Sequence, residues 1–196
     1  MGKDIYGVTS KILYREIAIL GSPQGRADLA NLRNSMGKNL SQCPEIWPII
    51  FENLPEDFLS KKKDLSDEEK AIITSLQLFA LHQQGQEKSV NIGKEEGFSN
   101  MGTSLRDLRQ GDGSLGADRR FNAMLTASTY EEFIGHLRHL VKILKAKAPQ
   151  SKVNYGNLAN DLYWILRGKK DDVIISWARE YYRENRKDKG EEDNDK

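Results

Sequence analysis

Apolar residues recur at intervals of three and four along most of this chain, and this spacing constrains the fold more than any other feature. In the stretch YEEFIGHLRHLVKILKAK, one helix face carries five of them: Phe133, Leu137, Leu140, Val141 and Leu144. Ser66 with Glu69, and Thr129 with Glu132, have the spacing of capping boxes that begin helices. No segment shows the two-residue alternation of a strand. The sequence therefore predicts an all-α fold.

The helical spacing fails in the segment GQEKSVNIGKEEGFSNMG, residues 85–102, which contains four glycines and many polar residues. Long connections of this kind separate domains or carry function. We predict two small helical bundles, residues 1–84 and 103–187, joined by a flexible loop at 85–102. The charged end of the chain, residues 188–196, is predicted to be a disordered acidic tail because it has no apolar residue to dock.

Large apolar side chains are expected to anchor the two bundles. The segment CPEIWPIIFENLP contains three prolines, so we expect it to form short helices or turns. Trp47 of this segment and Phe79 are predicted to be buried in the first bundle. Leu137, Leu162 and Trp177 are predicted to be buried in the second.

Composition restricts the class of protein. The chain of 196 residues is long enough to bury a sizeable core. Its single cysteine, Cys43, excludes an internal disulfide and a cysteine-rich zinc site. The sequence contains neither an apolar run long enough to span a membrane nor the apolar core of a signal peptide. We expect an intracellular, cytoplasmic protein that does not bind membranes.

The net charge of +1 hides an uneven distribution of charge. Residues 1–100 carry 12 basic and 14 acidic side chains, whereas residues 101–187 carry 16 basic and 10 acidic ones, a balance of +6. Residues 188–196 carry two basic and five acidic ones. A basic segment inside a nearly neutral chain indicates an anionic partner.

The sequence lacks the common signatures of an active site. It contains no Walker loop, no GxGxxG motif after a strand and no GxSxG elbow. His136 and His139 are three residues apart on a predicted helix, but no thiolate or HExxH pattern accompanies them, so zinc binding is disfavoured. His82 is interpreted as a partly buried core histidine, although donation to a phosphate stays open. We predict no catalytic residue, metal, cofactor or small-molecule substrate.

Basic side chains form stripes on several predicted helices. Arg138, Lys142 and Lys145 fall at i, i+4 and i+7, and the same spacing relates three arginines of the last helix, Arg179, Arg183 and Arg186. Such a stripe is either an ordinary solvated face or a groove that follows a phosphate backbone, for which the planar guanidinium of Arg is well suited. The run Lys61–Lys63 is followed by four acids and is interpreted as solvated.

Several blocks of the chain, taken in order, resemble a known family. They are LANLRNSMGKNLSQCPEIWPIIFENLP, LFALHQQ, MGTSLRDLR, DRRFNAMLTASTYEEFIGHLRHLVKIL, VNYGNLANDLYWI and SWAREYY. The chain is similar over residues 26–183 to CasB, the small subunit of the type I-E CRISPR-Cas surveillance complex Cascade. The loop at 85–100 is long for this family, and the acidic tail has no counterpart in it.

The resemblance implies an all-helical protein without enzymatic activity. Its partners would be the other Cascade subunits, a second copy of itself, the crRNA and the target DNA. It would stabilise the guide–target heteroduplex and the displaced strand without reading sequence, because base pairing supplies specificity in RNA-guided recognition.

Carried over position by position, the resemblance assigns contacts with nucleic acid to nine residues: Arg26, Arg33, Lys38, Arg106, Arg109, Arg119, Arg120, Arg138 and Lys142. One alternative stays open from the residues alone. The chain could be a protein-interaction bundle whose basic faces contact acidic surfaces of other subunits.

Overall fold

The structure is a computed structural model that describes residues 3–93, 96–97, 99–109 and 114–183, and these residues form nine α-helices. In chain order they are α1 (Ile5–Ala18), α2 (Pro23–Asn34), α3 (Trp47–Phe51), α4 (Asp67–Gln83), α5 (Met101–Leu105), α6 (Ser114–Leu125), α7 (Tyr130–Lys147), α8 (Tyr155–Leu166) and α9 (Lys170–Tyr181). The all-α prediction is confirmed. None of the described helices is long and apolar enough to cross a membrane.

Helix α4 lies at the centre of the fold. It begins at the predicted capping box, in which the Ser66 hydroxyl accepts from the Glu69 backbone N–H and the Glu69 carboxylate accepts from the Ser66 N–H. Most of its side chains are buried, on every side of the helix, because α1, α2, α7 and α8 all pack against it. A helix that is apolar all round is stable only when neighbours surround it in this way.

Helix α8 packs against α1 and α4, so helices from both predicted bundles contribute to a common core. The Ser75 hydroxyl of α4 donates to the Tyr155 carbonyl of α8 at 2.7 Å. The Phe79 and Tyr155 rings meet edge to face, with centroids 5.5 Å apart. The arrangement as two separate bundles, residues 1–84 and 103–187, stays a prediction.

The connection between α4 and α5 is tied to the core in its described residues. Val90 is buried, and Asn91 forms an isolated parallel bridge with Val153. Two hydrogen bonds fix this contact, from the Val153 N–H to the Val90 carbonyl at 2.9 Å and from the Ile92 N–H to the Val153 carbonyl at 3.0 Å. Because α5 begins at Met101, the connection ends two residues before the predicted boundary. The predicted tail lies outside the described residues.

The predicted burial of large side chains is confirmed for Phe79, Leu137, Leu162 and Trp177 and is wrong for Trp47. Trp47 is 41% exposed. It is the first residue of α3 and directly follows a 3-10 turn, and the neighbouring isoleucines enter the core instead. Its indole Nε1–H donates to the Leu40 carbonyl at 3.0 Å, which satisfies the polar edge of the ring while the rest stays in solvent.

Helices α5 and α9 cross so closely that no side chain fits at Gly102. A Cβ at this position would lie 1.9 Å from the Trp177 carbonyl oxygen. We therefore expect Gly102→Ala to lower the free energy of unfolding by about 2 kcal/mol, because the two helices must move apart. Gly135→Ala is the matched control. Its Cβ would have no neighbour within 4 Å, so a gain of about 0.5 kcal/mol is expected in a helix. Urea denaturation of both variants measures the difference, and equal stabilities would contradict the close crossing.

Candidate nucleic-acid interface

Helix α7 separates an apolar face from a basic one. Its five predicted apolar residues are buried against the core. The Thr129 hydroxyl caps the helix, but the second capping box is only half formed, because the Glu132 carboxylate accepts from the Ser128 N–H instead. On the other side, Lys142 is exposed, whereas Arg138 and Lys145 are half-buried. The basic face of α7 is therefore not entirely solvated.

Two cations from different helices meet at the C-terminal end of α4. Arg33 of α2 donates to the Ala80 carbonyl at 3.4 Å. Lys145 of α7 donates to the Leu81 carbonyl at 3.4 Å and to the Gln84 side chain at 3.3 Å. The last carbonyls of a helix lack intrahelical partners and carry partial negative charge, so cations are favoured there. Burial lowers the pKa of both side chains, and the nearby Arg33 charge lowers that of Lys145 further.

A groove of about 370 Å³ runs between α7 and the turn that follows α2. Lys38, Lys70 and Arg138 line it together with one carboxylate, Glu131. Its apolar lining includes Met36, Leu40, Leu65, Ile73, Leu78 and Ile134. The groove lies over α4, and Arg33 and Lys145 mark the far end of that helix.

We call this surface the trough: the strip over α4 that carries Arg33, Lys38, Lys70, Arg138, Lys142 and Lys145. Arg138 and Lys145 are seven positions apart on α7, which corresponds to roughly 10 Å along the helix. Lys142 falls between them on the same face. Across the part of the chain that the structure describes, no carboxylate lies within 4.0 Å of any of these six cations. Their charge is available to a ligand.

Four of the nine predicted site residues lie in the trough: Arg33, Lys38, Arg138 and Lys142. Arg26 precedes Arg33 by seven residues on α2 and is exposed, with its Nη1 donating to the Gly21 carbonyl at 2.8 Å. It shares the face of α2 that carries Arg33. Arg26 therefore lies two turns from Arg33 on the same side of α2.

A separate group forms where α9 ends. Arg106 donates to the Glu180 carbonyl at 3.5 Å. The Arg109 Nε lies 3.0 Å from the Asp118 carboxylate, which also accepts from the Tyr181 hydroxyl at 2.8 Å. The Arg109 guanidinium also lies 4.8 Å from the centroid of the Tyr182 ring. Arg109 is thus engaged in holding α6 against α9.

Arg119 and Arg120 are exposed on α6 and are not among the residues of the trough. Arg120 donates to the Gly116 carbonyl at 2.8 Å. The prediction omitted two trough residues, Lys70 and Lys145. Lys145 belongs to the basic stripe of α7, whereas Lys70 follows three acids in sequence and carries no recognisable signal.

His82 and His136 lie in different surroundings. His82 is fully buried and its Nδ1 lies 3.0 Å from the Tyr155 hydroxyl, so it does not reach a ligand at the surface. Burial and the Lys145 charge lower its pKa to about 4, which leaves it neutral near pH 7. His136 lies 4.0 Å from Glu132. Among the described residues, no three His, Cys, Asp or Glu side chains are grouped as metal ligands.

Known proteins share both the sequence pattern and the fold. Residues 28–182 match the sequence model of the family described as CRISPR-associated protein Cse2. CasB from Thermobifida fusca is 23% identical and has a TM-score of 0.72, over 92% of this chain and 99% of that one.

Two other solved structures agree with these matches. A CRISPR-associated protein of the Cse2 family from Thermus thermophilus is 22% identical, with a TM-score of 0.63 over 89% of this chain and 97% of that one. A chain from a CRISPR RNA-guided surveillance complex is 19% identical, with a TM-score of 0.65 over 90% of this chain and 92% of that one. No curated protein matches this chain.

Proposed function

Because this chain belongs to the Cse2 family of CRISPR-associated proteins, we propose that it is a non-catalytic subunit of an RNA-guided surveillance complex and binds nucleic acid through the trough. One similar chain comes from such a complex, which supports this assignment. The proposed partners are the other subunits of Cascade, a second copy of this chain, the crRNA and the target DNA.

The observation that carries this proposal is the group of cations beside α4, Arg33, Lys38, Lys70, Arg138 and Lys145, with Lys142 one turn from Arg138 on α7. None of the six has a carboxylate within 4.0 Å in the described residues. Cations spread along a groove attract a phosphate backbone whatever its sequence. In RNA-guided recognition, base pairing carries the specificity and the protein contributes contacts with the backbone. The trough would accordingly hold the displaced strand or the guide–target heteroduplex and stabilise the R-loop.

We expect the variant Lys38→Ala/Arg138→Ala/Lys142→Ala to bind single-stranded DNA about tenfold more weakly, on the basis of about 0.5 kcal/mol for each charge contact with a phosphate. The slope of log K against log salt should fall by about 2, since each lost phosphate contact removes about 0.7. Arg33 and Lys145 are not substituted, because they also donate hydrogen bonds to backbone carbonyls at the end of α4. Fluorescence anisotropy with two unrelated sequences at several salt concentrations measures both effects.

The matched control is Lys11→Ala/Lys88→Ala/Lys169→Ala, which removes the same charge from exposed lysines that do not line the trough. We expect this control to keep the affinity and the salt slope nearly unchanged. Equal losses in both variants would show that only net charge matters. Normal DNA binding by the trough variant, with failed assembly into the complex, would favour the alternative in which the basic face contacts another subunit.

A further inference from the structure

A second groove, of about 680 Å³, continues the trough beyond Lys38. Four residues line both grooves: Lys38, Leu40, Leu65 and Lys70. The second groove adds an exposed aromatic side chain, Trp47, and two further lysines, Lys62 and Lys63. It therefore places a large ring among four cations at one end of a surface already proposed to hold nucleic acid.

The indole of Trp47 is held in place although it is 41% exposed. Its Nε1–H is bound to the Leu40 carbonyl at 3.0 Å, and Pro48 follows it directly at the start of α3. The hydrogen bond removes the only polar group of the ring from solvent. What remains accessible is an apolar, polarisable surface in a fixed position, which is the property needed for stacking.

Three of the four acids that follow Lys61–Lys63 in sequence make their contacts elsewhere in the fold. Asp67 lies 3.6 Å from Arg167 and Glu68 lies 2.8 Å from Lys3. Glu69 is buried and accepts the backbone N–H of Ser66 at the start of α4. The groove lining therefore combines four lysines with one exposed carboxylate, Asp64.

We propose that Trp47 is a stacking platform for an unpaired base of single-stranded nucleic acid, and that Lys38, Lys62, Lys63 and Lys70 contact the phosphates on either side of that base. This inference rests on the proposed function, which it extends by naming the form of nucleic acid that this end of the trough takes. Every base has a π-face, so stacking on an aromatic ring tolerates any sequence and combines well with cations that follow the backbone. A paired base within a duplex is not free to stack in this way.

Trp47 fluorescence provides the first test. In a Trp164→Phe background the only other tryptophan, Trp177, is fully buried and supplies a constant signal. We expect an oligothymidylate of about 20 nucleotides to quench the emission, whereas an abasic strand of equal length and charge binds without quenching. Equal quenching by both strands would overturn the proposal. This comparison uses an intact Trp47 and so does not depend on the stability of a substituted groove.

The second test compares affinities. Trp47→Ala should weaken binding of the oligothymidylate about tenfold and leave binding of the abasic strand and the salt slope unchanged, since no charge is removed. Trp47→Phe should retain most of the affinity. Trp164→Ala, which removes another ring that is 44% exposed, is the matched control and should have no effect.

The outcomes separate this inference from the proposed function. Unchanged binding by Trp47→Ala, together with a loss in the Lys38/Arg138/Lys142 variant, would leave the trough in place and overturn the stacking role of Trp47. Absence of binding to either strand by the unsubstituted chain would overturn the proposed function itself. Normal strand binding by Trp47→Ala with failed assembly of the surveillance complex would show that the groove holds a protein segment instead.

Discussion

Replacing Trp177 with alanine is expected to lower the free energy of unfolding by about 4 kcal/mol, the largest effect of a single substitution that we predict. The side chain is fully buried, and its ring centroid lies 5.7 Å from that of Phe133. Its Nε1–H donates to the Asp161 carboxylate at 2.7 Å and so joins α9 to α8. The substitution leaves both a cavity and a carboxylate without its donor.

The Asp161 carboxylate gives this prediction a dependence on pH. Burial raises the pKa of Asp161 from 3.8 to about 6, and the hydrogen bond from Trp177 opposes the rise. Trp177→Phe keeps an aromatic ring but removes the donor, so the pKa of Asp161 in the folded state should rise further. An acid whose folded pKa exceeds its unfolded pKa binds more protons when folded, and stability then falls as pH increases through that interval.

In urea denaturation, Trp177→Phe should therefore lower the free energy of unfolding slightly near pH 4. Near pH 8 the decrease should be larger, about 1–3 kcal/mol. Trp164→Phe is the control on the neighbouring helix and should change stability by less than about 0.5 kcal/mol, because Trp164 is substantially exposed. A loss in Trp177→Phe that is the same at all pH values would show that Asp161 does not depend on this donor.

The helices could be predicted from the sequence because their signals are local. The apolar residues of α7 recur within one or two turns, and the capping box at Ser66 and Glu69 lies three residues apart. Trp47 was wrongly predicted because its surroundings are not periodic. Its position depends on the backbone of a 3-10 turn seven residues earlier, and that conformation leaves the ring outside. The residue type alone favours burial and gives no indication of this geometry.

The trough could be predicted only in part. The stripe on α7 identifies Arg138 and Lys142 because helical spacing places them on one face. The contribution of Lys70, and the meeting of Arg33 with Lys145, depend on how α2 and α7 pack across α4. These contacts join residues far apart in sequence, so no local pattern encodes them.

The interpretation of Lys61–Lys63 as solvated agrees with their exposure, but the sequence does not show which acids lie near them. In sequence these lysines are followed by acids, which suggests mutual neutralisation. In the fold, Asp67 contacts Arg167 and Glu68 contacts Lys3, two cations from other segments. These two acids therefore form no ion pair with the lysines near Trp47. Charge pairing between distant residues therefore decided which cations remain available for a ligand.

A buried acid in the contact between α1 and α2 underlies the second large effect. Glu16 is only 7% exposed, and its Oε2 atom has no hydrogen-bond partner in the described residues. Burial raises its pKa from 4.5 to about 7, the nearby Asp28 carboxylate adds to the rise, and Arg15 opposes it. Folding therefore becomes less favourable as pH increases from about 4.5 to about 7, because the unfolded chain loses this proton first.

We expect Glu16→Gln to raise the free energy of unfolding near pH 8 by as much as about 3 kcal/mol, the energy that corresponds to the difference between a pKa of 4.5 and one of about 7. Near pH 4 the variant and the original chain should be equally stable, since the carboxyl is protonated in both states. Glu45→Gln makes the same change of charge at an exposed position and should have little effect at any pH. His82 is present in all three proteins, so its own titration cancels from the comparison. Thermal and urea unfolding between about pH 4 and pH 8 measure the difference, and a gain that does not shrink toward acid pH would show that the Glu16 charge is not its cause.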